Sequence, residues 1–389
     1  WENISKEDQE EITEFIKNFN TYKKKYFFNS CEIHEHAKST LSRFLGKSIN
    51  YSEIFKNQYL ENLYIDFLKS ACITAKTWIK IIDRNTPDLL ILNHGLYIPQ
   101  GVILEVARLK GVEVTTFHPG YRKGTILIAH GDTYHKTLVE KNVSSILDKE
   151  LNSNQIKIIK SYLKSRRDGS QDQITFVHKN AEREKIPNSL KFLNNQILVL
   201  TNVDWDAQSH YKNNVYETMN EWILDIINLA KKKSNYNFIF RCHPAEVTGR
   251  RVSAVKSSDF IRNNSVGIKN LFIVKSEDRL STYKLIEQSK AVIVYATKTS
   301  IEAACMKKPV LICGESCLKG KGIGIDLNNK DKLEDEFYKL VRSSKVNQEK
   351  ALRYAYHFFY REMIDLPKYY KTKKTMQESK FIKRIFNER

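Results

Sequence analysis

The stretch Ser289–Gly314, SKAVIVYATKTSIEAACMKKPVLICG, constrains the fold more than any other part of the chain. Ala291–Tyr295 and Pro309–Cys313 are short apolar, β-branched runs, each about the length of a buried parallel strand. Between them Thr299 and Ser300 stand where a helix N-cap belongs, and Ile301, Ala304 and Cys305 supply an apolar helix face. The pattern is strand, loop, helix, strand. The loop Ala296–Ser300 therefore brings hydroxyls and the Lys298 ammonium to a helix N-terminus, where free N–H groups and the helix dipole favour an anion, usually phosphate. Glu302, just inside the helix, is placed to accept hydrogen bonds from ribose hydroxyls. The same residues also suit an ordinary capped helix.

The second half repeats this logic. Gln196–Leu200 reads as a buried strand ending in Thr201–Asp206, which contains Asn202 and Trp205. A helix over Val215–Lys231 follows, then the strand Asn237–Phe240, which ends in Arg241-Cys242-His243-Pro244-Ala245-Glu246. Leu271–Val274 is a further strand and Thr282–Gln288 a crossover helix. His243 at a strand end should face the same cleft as Lys298–Ser300. Its imidazole can donate to a phosphate oxygen without a metal, and Arg241 adds positive charge.

The first half opens with helical periodicity over Glu10–Tyr22, Glu35–Leu45 and Tyr59–Ile82. Leu89–Leu92 is its first buried strand, ending in Asn93–Pro99 with His94 and Tyr97. A helix over Gln100–Lys110 ends at Gly111, suited to a left-handed cap. Val112–Phe117 is the next strand, followed by the loop His118–Gly124 with Arg122, the strand Thr125–Ala129 and the turn His130–His135. This order predicts a parallel, doubly wound domain with ligand groups on the loops after the strands. Residues 143–167 read as helical and Arg166–Asp172 as an exposed turn. The expected domains are 1–190, 191–345 and a helical segment 346–389 packing back on the first.

A chain of 389 residues is too long for one ordinary core, in keeping with two domains. Its net charge of +19 favours nucleic acid, an anionic membrane or a phosphate-bearing substrate, without choosing among them. The six cysteines, mostly in apolar contexts, suggest reduced, buried thiols and a cytoplasmic protein. No run is long and apolar enough for a membrane helix, and the N-terminus has no signal-peptide pattern; its Trp1 suggests a fragment of a longer product. Gly314–Gly322 fails as a Walker loop, because Lys319 and Gly322 occupy positions that need Gly and a hydroxyl residue. No GxGxxG follows a first strand, and the pairs Cys313/Cys317 and His130/His135 lack matching partners, so neither a dinucleotide cofactor nor a metal is expected. Zinc-finger, RNP and KH signatures are absent too, which argues against specific nucleic-acid binding.

A strand-end Arg-x-His-Pro, followed by a Thr-Ser-x-Glu-Ala helix start and Lys-Pro-Val-Leu, resembles the nucleotide-sugar half of GT-B glycosyltransferases. More narrowly it resembles the bacterial capsule and surface-polysaccharide enzymes with an HP motif, among them the Kdo transferases and, more distantly, the sialyltransferases. The resemblance implies two Rossmann-like, doubly wound domains facing a cleft. By position it implies that His243 binds the donor phosphate, Thr299 and Ser300 cap it, and Glu302 takes the ribose. The loop with Asn202 and Trp205 would open that half, and Pro244 and Glu246 complete its HP segment. Asn93–Pro99 and Arg122–His135 would form the acceptor half, with Tyr97, Arg122 and His130 on the acceptor side. One departure is the missing acidic-acidic-Gly motif, which in many HP-type enzymes carries the catalytic carboxylate.

The expected activity is transfer of a sugar from a nucleotide sugar, CMP-Kdo-like or another NDP-sugar, to a growing surface polysaccharide or its lipid-linked precursor. Alternatives are a sugar-nucleotide epimerase or polyol-phosphate transferase on the same fold, and a basic nucleic-acid-binding protein. Asp132 is the expected general base, with His94 beside the acceptor, since both sit in strand-end loops of the first half and a carboxylate and an imidazole can tune each other. The Lys- and aromatic-rich tail, including Tyr369, Lys371 and Phe381, suits either peripheral contact with an anionic membrane or packing on the first domain.

Overall fold

The computed structural model describes residues 4–18, 27–178, 180–206, 214–249, 251–343 and 346–366. The basic tail beyond residue 366 lies outside them. The first half begins with helices α1 (Lys6–Lys17), α2 (His34–Leu45), α3 (Tyr51–Lys56) and α4 (Gln58–Asn85), with a two-stranded ribbon, β1 (Phe27–Phe28) and β2 (Cys31–Glu32), before α2. Helix α1 starts earlier than its periodicity suggests because Ser5 and Asp8 form a capping box. In α4 the residues Tyr64, Leu68, Ala71, Cys72, Ala75 and Ile82 recur at helical spacing and are all buried.

The first sheet follows, with β3 (Leu89–Asn93), α5 (Gln100–Leu109), β4 (Glu113–Pro119) and β5 (Thr125–His130). Its strand order is β12-β5-β4-β3, where β12 (Met363–Asp365) comes from the far end of the chain. Only β3 and β4 pair in parallel; β5 is antiparallel to β4 and to β12. The expectation of a wholly parallel first sheet is thus corrected. A parallel return needs a crossover of about a dozen residues or more, and the loop after β4 is a tight turn closed by Gly120 N–H donating to Thr125 O at 2.8 Å.

Helices α6 (Tyr134–Glu140), α7 (Ser144–Leu147), α8 (Ser153–Ser165) and α9 (Asn188–Lys191) lead to the second sheet. This contains β6 (Gln196–Leu200), α10 (Met219–Lys232), β7 (Asn237–Arg241), α11 (Ala245–Thr248), α12 (Ser257–Asn264), β8 (Leu271–Val274), α13 (Thr282–Gln288), β9 (Ala291–Val294), α14 (Thr299–Cys305), β10 (Val310–Ile312) and β11 (Ile325–Asp326). All its pairings are parallel, in the order β11-β10-β9-β6-β7-β8. Every residue of β6 and β9 is buried, as expected of strands covered on both faces. The order reverses direction between β6 and β9, which opens a crevice at their carboxyl ends.

Helices α15 (Leu333–Arg342) and α16 (Gln348–Tyr356) end the second half. Helix α16 packs on α14 and also on α7 and α8, after which Met363–Asp365 pair with β5. One apolar cluster runs through Leu127 of β5, Tyr162 of α8, Leu198 of β6, Ile301 of α14 and Phe359, so the core is continuous between the halves. Together the two sheets form a two-domain, Rossmann-like GT-B arrangement.

Candidate active site at the switch point

The crevice is lined by Thr201 after β6, His243 and Pro244 after β7, and Thr297, Lys298 and Thr299 after β9. The linker residues Thr175–His178 and the start of α13 close its sides. It encloses about 100 Å³, below the roughly 300–1,000 Å³ usual for a ligand pocket, so a nucleotide sugar enters only if the surrounding loops part.

His243 is fixed by its neighbours. Its backbone N–H donates to Thr201 Oγ1 at 3.1 Å, its Nδ1 accepts from Ala245 N–H at 3.1 Å, and Phe176 packs edge-on at 5.5 Å. Because Nδ1 is an acceptor, the ring proton resides on Nε2 and is available as a donor. Burial, reinforced by Lys298 and Arg241, lowers its pKa to about 3, so the ring is neutral. Lys298 lies over the Tyr121 ring at 4.2 Å. It makes no ion pair among the described residues, and burial followed by the Arg166 charge lowers its pKa to about 8. A buried ammonium with no ion pair among the described residues, near a neutral N–H donor, suits an anion.

Other residues expected at the donor take different roles. The N-cap of α14 is Lys298, not Thr299 or Ser300, and no side chain caps it. Ser300 is fully buried, its hydroxyl donating to Thr297 O at 2.8 Å, while Thr299 remains at the cleft. Glu302 does not face the crevice. It falls on the inner side of α14, where Arg166 Nε donates to Oε1 at 2.7 Å and the Tyr283 hydroxyl donates to Oε2. With both oxygens engaged and 2% exposure, it has no capacity left for a ribose. Arg166 also pairs with Asp172 at 2.8 Å, and both are buried. The expected exposed turn Arg166–Asp172 is therefore the anchor of a buried charge network. Its burial follows from pairing with Glu302, a partner remote in sequence.

Glu246 is likewise enclosed, accepting from Ser257 N–H at 3.1 Å and from the hydroxyls of Ser257 and Ser276. Arg241 clamps the segment after β8, donating to the carbonyls of Lys275, Asp278 and Leu280. Asn202 joins the two switch-point loops through Nδ2–H to Ala296 O at 2.8 Å. Trp205 donates to Ser253 Oγ at 3.0 Å and stands outside the crevice, near Arg43 of α2.

On the facing half, His94 ends β3 with φ of 39°. Its Nδ1 accepts from Leu96 N–H at 3.2 Å, which leaves the proton on Nε2, and burial lowers its pKa to about 4. It is thus a hydrogen-bond donor in this state. Tyr97 donates to Asp206 Oδ1 at 2.9 Å and accepts from Arg43 at 3.0 Å. At the end of β4, the His118 ring lies 4.9 Å from that of Tyr134. Arg122 turns toward the chain's far end, bonding Asp365 at 2.6 Å and Phe359 O at 3.2 Å.

His130 and Asp132 do not share the carboxyl end of the sheet with His94. Because β5 is antiparallel, His130 pairs with Thr115 near the start of β4, and its Nδ1 lies 3.1 Å from Thr115 Oγ1. Asp132 is bound by Lys136 at 2.7 Å and by Arg108. A carboxylate held by two cations at that end of the sheet is poorly suited to be the base, which corrects the expectation for Asp132.

Among the described residues, no group of three or more His, Cys, Asp or Glu is placed to hold a metal ion. In the same residues no helix is long and apolar enough to cross a membrane.

A family profile described as "Capsule polysaccharide biosynthesis protein" matches residues 128–381. The chain belongs to the capsule polysaccharide biosynthesis family. That membership agrees with the resemblance to capsule-type glycosyltransferases. Among solved structures, this capsule-family chain is similar to two chains titled Thermosulfurimonas dismutans KpsC. One, titled a beta Kdo 2,4 transferase, is 10% identical, with 69% of this chain and 78% of that one covered at a TM-score of 0.45. The other, titled a beta Kdo 2,7 transferase, is 15% identical, with 72% and 80% covered at a TM-score of 0.43. A UDP-GlcNAc 2-epimerase from Neisseria meningitidis is 12% identical, with 85% and 96% covered at a TM-score of 0.32. No curated protein sequence matches the chain.

Proposed function

We propose that the chain transfers a sugar from a nucleotide-sugar donor to a growing capsule glycan or its lipid-linked precursor. The observation that carries this reading is Lys298, an ammonium without an ion-pair partner among the described residues, beside His243 at the switch point of the second sheet. The donor phosphate rests against Lys298 and accepts from His243 Nε2–H. As the anomeric C–O bond breaks, these two groups hold the charge developing on the leaving phosphate oxygen. In this reading no metal is required there: Lys298 supplies positive charge, and the nearby carboxylates Glu302 and Asp172 are engaged by Arg166.

Calorimetric titration with CMP, UDP, GDP and CDP tests the reading and identifies the base. His243→Ala and Lys298→Met should each weaken the bound nucleotide by about 1.5–3 kcal/mol, the usual worth of a charge-assisted hydrogen bond. Unchanged affinity in both variants would refute the phosphate assignment.

A further inference from the structure

If the chain is such a transferase, the acceptor hydroxyl must lose a proton, and neither expected residue fits that task. Asp132 is held by two cations, and His94 carries its proton on the nitrogen left free by Leu96. A third group stands at the carboxyl end of the first sheet. His118 Nδ1 lies 2.8 Å from the Pro119 carbonyl oxygen. A carbonyl only accepts, so Nδ1 bears the proton and the Nε2 lone pair is free to take another. His243 and His94 have the opposite arrangement.

We infer that His118 is the general base that removes the acceptor proton. It stands at the end of β4, where charges from both halves, Arg43 of α2 and Asp206 after β6, act on it. Its ring contacts Tyr134, and Tyr121, three residues along the same loop, carries Lys298 over its face. In the step, the acceptor O–H proton passes to His118 Nε2 while the oxygen's electron pair forms the bond to the anomeric carbon. The bond from that carbon to the phosphate oxygen breaks, and its electron pair leaves with the phosphate.

The charged and titratable groups around His118 are Asp206 and Arg43 from opposite sides of the cleft, His94 after β3, and Tyr134 and His135 of α6. Burial lowers the His118 pKa from its ordinary 6.5, against the Pro119 carbonyl and Asp206, which raise it, and with Arg43, which lowers it further. The ring is therefore neutral at physiological pH, as a base must be.

The inference rests on the transferase reading, and the experiment separates the two. Sugar transfer and nucleotide affinity are measured in the full chain, in His118→Gln and in His118→Ala with and without added imidazole. Histidine 15N NMR of the unliganded protein reports the tautomers. Turnover should fall about 100-fold or more with nucleotide affinity unchanged, and imidazole should restore part of it in His118→Ala. The acid limb of kcat should vanish in His118→Gln, and His118 should show the Nδ1–H tautomer. Near-normal turnover in His118→Gln, or an Nε2–H tautomer, would overturn His118 as the base while leaving the donor site standing. Failure of the unmodified chain to bind any nucleotide would instead overturn the transferase reading and this inference with it.

Discussion

Tyr97 donates its hydroxyl hydrogen to Asp206 Oδ1 at 2.9 Å, and so ties the loop after β3 to the loop after β6 across the cleft. The Arg43–Asp206 ion pair beside it is about half exposed and adds little by itself. Tyr97→Phe and Asp206→Ala should each lower stability by about 0.5–1.5 kcal/mol, and the double variant by less than their sum. Urea unfolding of the four proteins measures this. Full additivity would show that the bond is not made in solution.

Glu302 and Arg166 form a buried pair in which the network, not a ligand, satisfies both groups. Glu302→Gln leaves Arg166 with Asp172 as its remaining ion-pair partner, and should cost about 3–5 kcal/mol. Nucleotide affinity of the folded variant should be close to that of the unmodified protein. A variant of normal stability that bound nucleotide weakly would return Glu302 to the ribose.

Lys298 makes binding pH-dependent in a definite direction. Burial lowers its pKa to about 8, and a phosphate beside it raises that value. Nucleotide binding near pH 8 should therefore take up protons. Calorimetry in buffers of different ionisation enthalpy detects the uptake, which should fade well below pH 8, where Lys298 is already charged, and be absent in Lys298→Met. The folded pKa lies below the unfolded 10.5. The unfolded chain then binds more protons between about 8 and 10.5, so this group makes stability rise with pH across that window.

The six thiols are free; five are buried and Cys317 is partly exposed. Burial raises Cys31, Cys313 and Cys317 to about 12, and the other three rise as well. A thiol reagent at neutral pH should label the native protein slowly, and rapidly once urea unfolds it. Fast labelling of the native protein would contradict this burial.

The second sheet was legible because strands buried on both faces are uninterrupted apolar runs, as in Ile197–Leu200 and Ala291–Val294. The direction of β5 was not, since Thr125–His130 reads alike in either sense and only the short loop before it decides. Strand β12 has no pattern of its own. Met363–Asp365 become a strand through pairing with β5.

At the site, His243 and Lys298 could be read as strand-end residues, and they line the crevice. Residue type near a helix start does not tell which side of the helix turns inward, so the burial of Glu302 and Glu246 is not legible in the sequence. The Arg166–Asp172 segment looks like solvated charge in isolation, and only its remote partner Glu302 reveals otherwise. For His118, the deciding fact is the bond to the next residue's carbonyl, which no residue pattern encodes.

The antiparallel pairing of Leu127 with Met363 also orders events at the ribosome. Strand β5 emerges early and waits as a bare edge until the whole second sheet has been made, on the order of tens of seconds at ordinary translation rates. Throughout that interval the nascent chain offers unpaired backbone amides to any neighbouring strand. Folding of the first half is thus completed late, by a segment synthesised after the second, and a chaperone's most useful moment is before Met363 arrives.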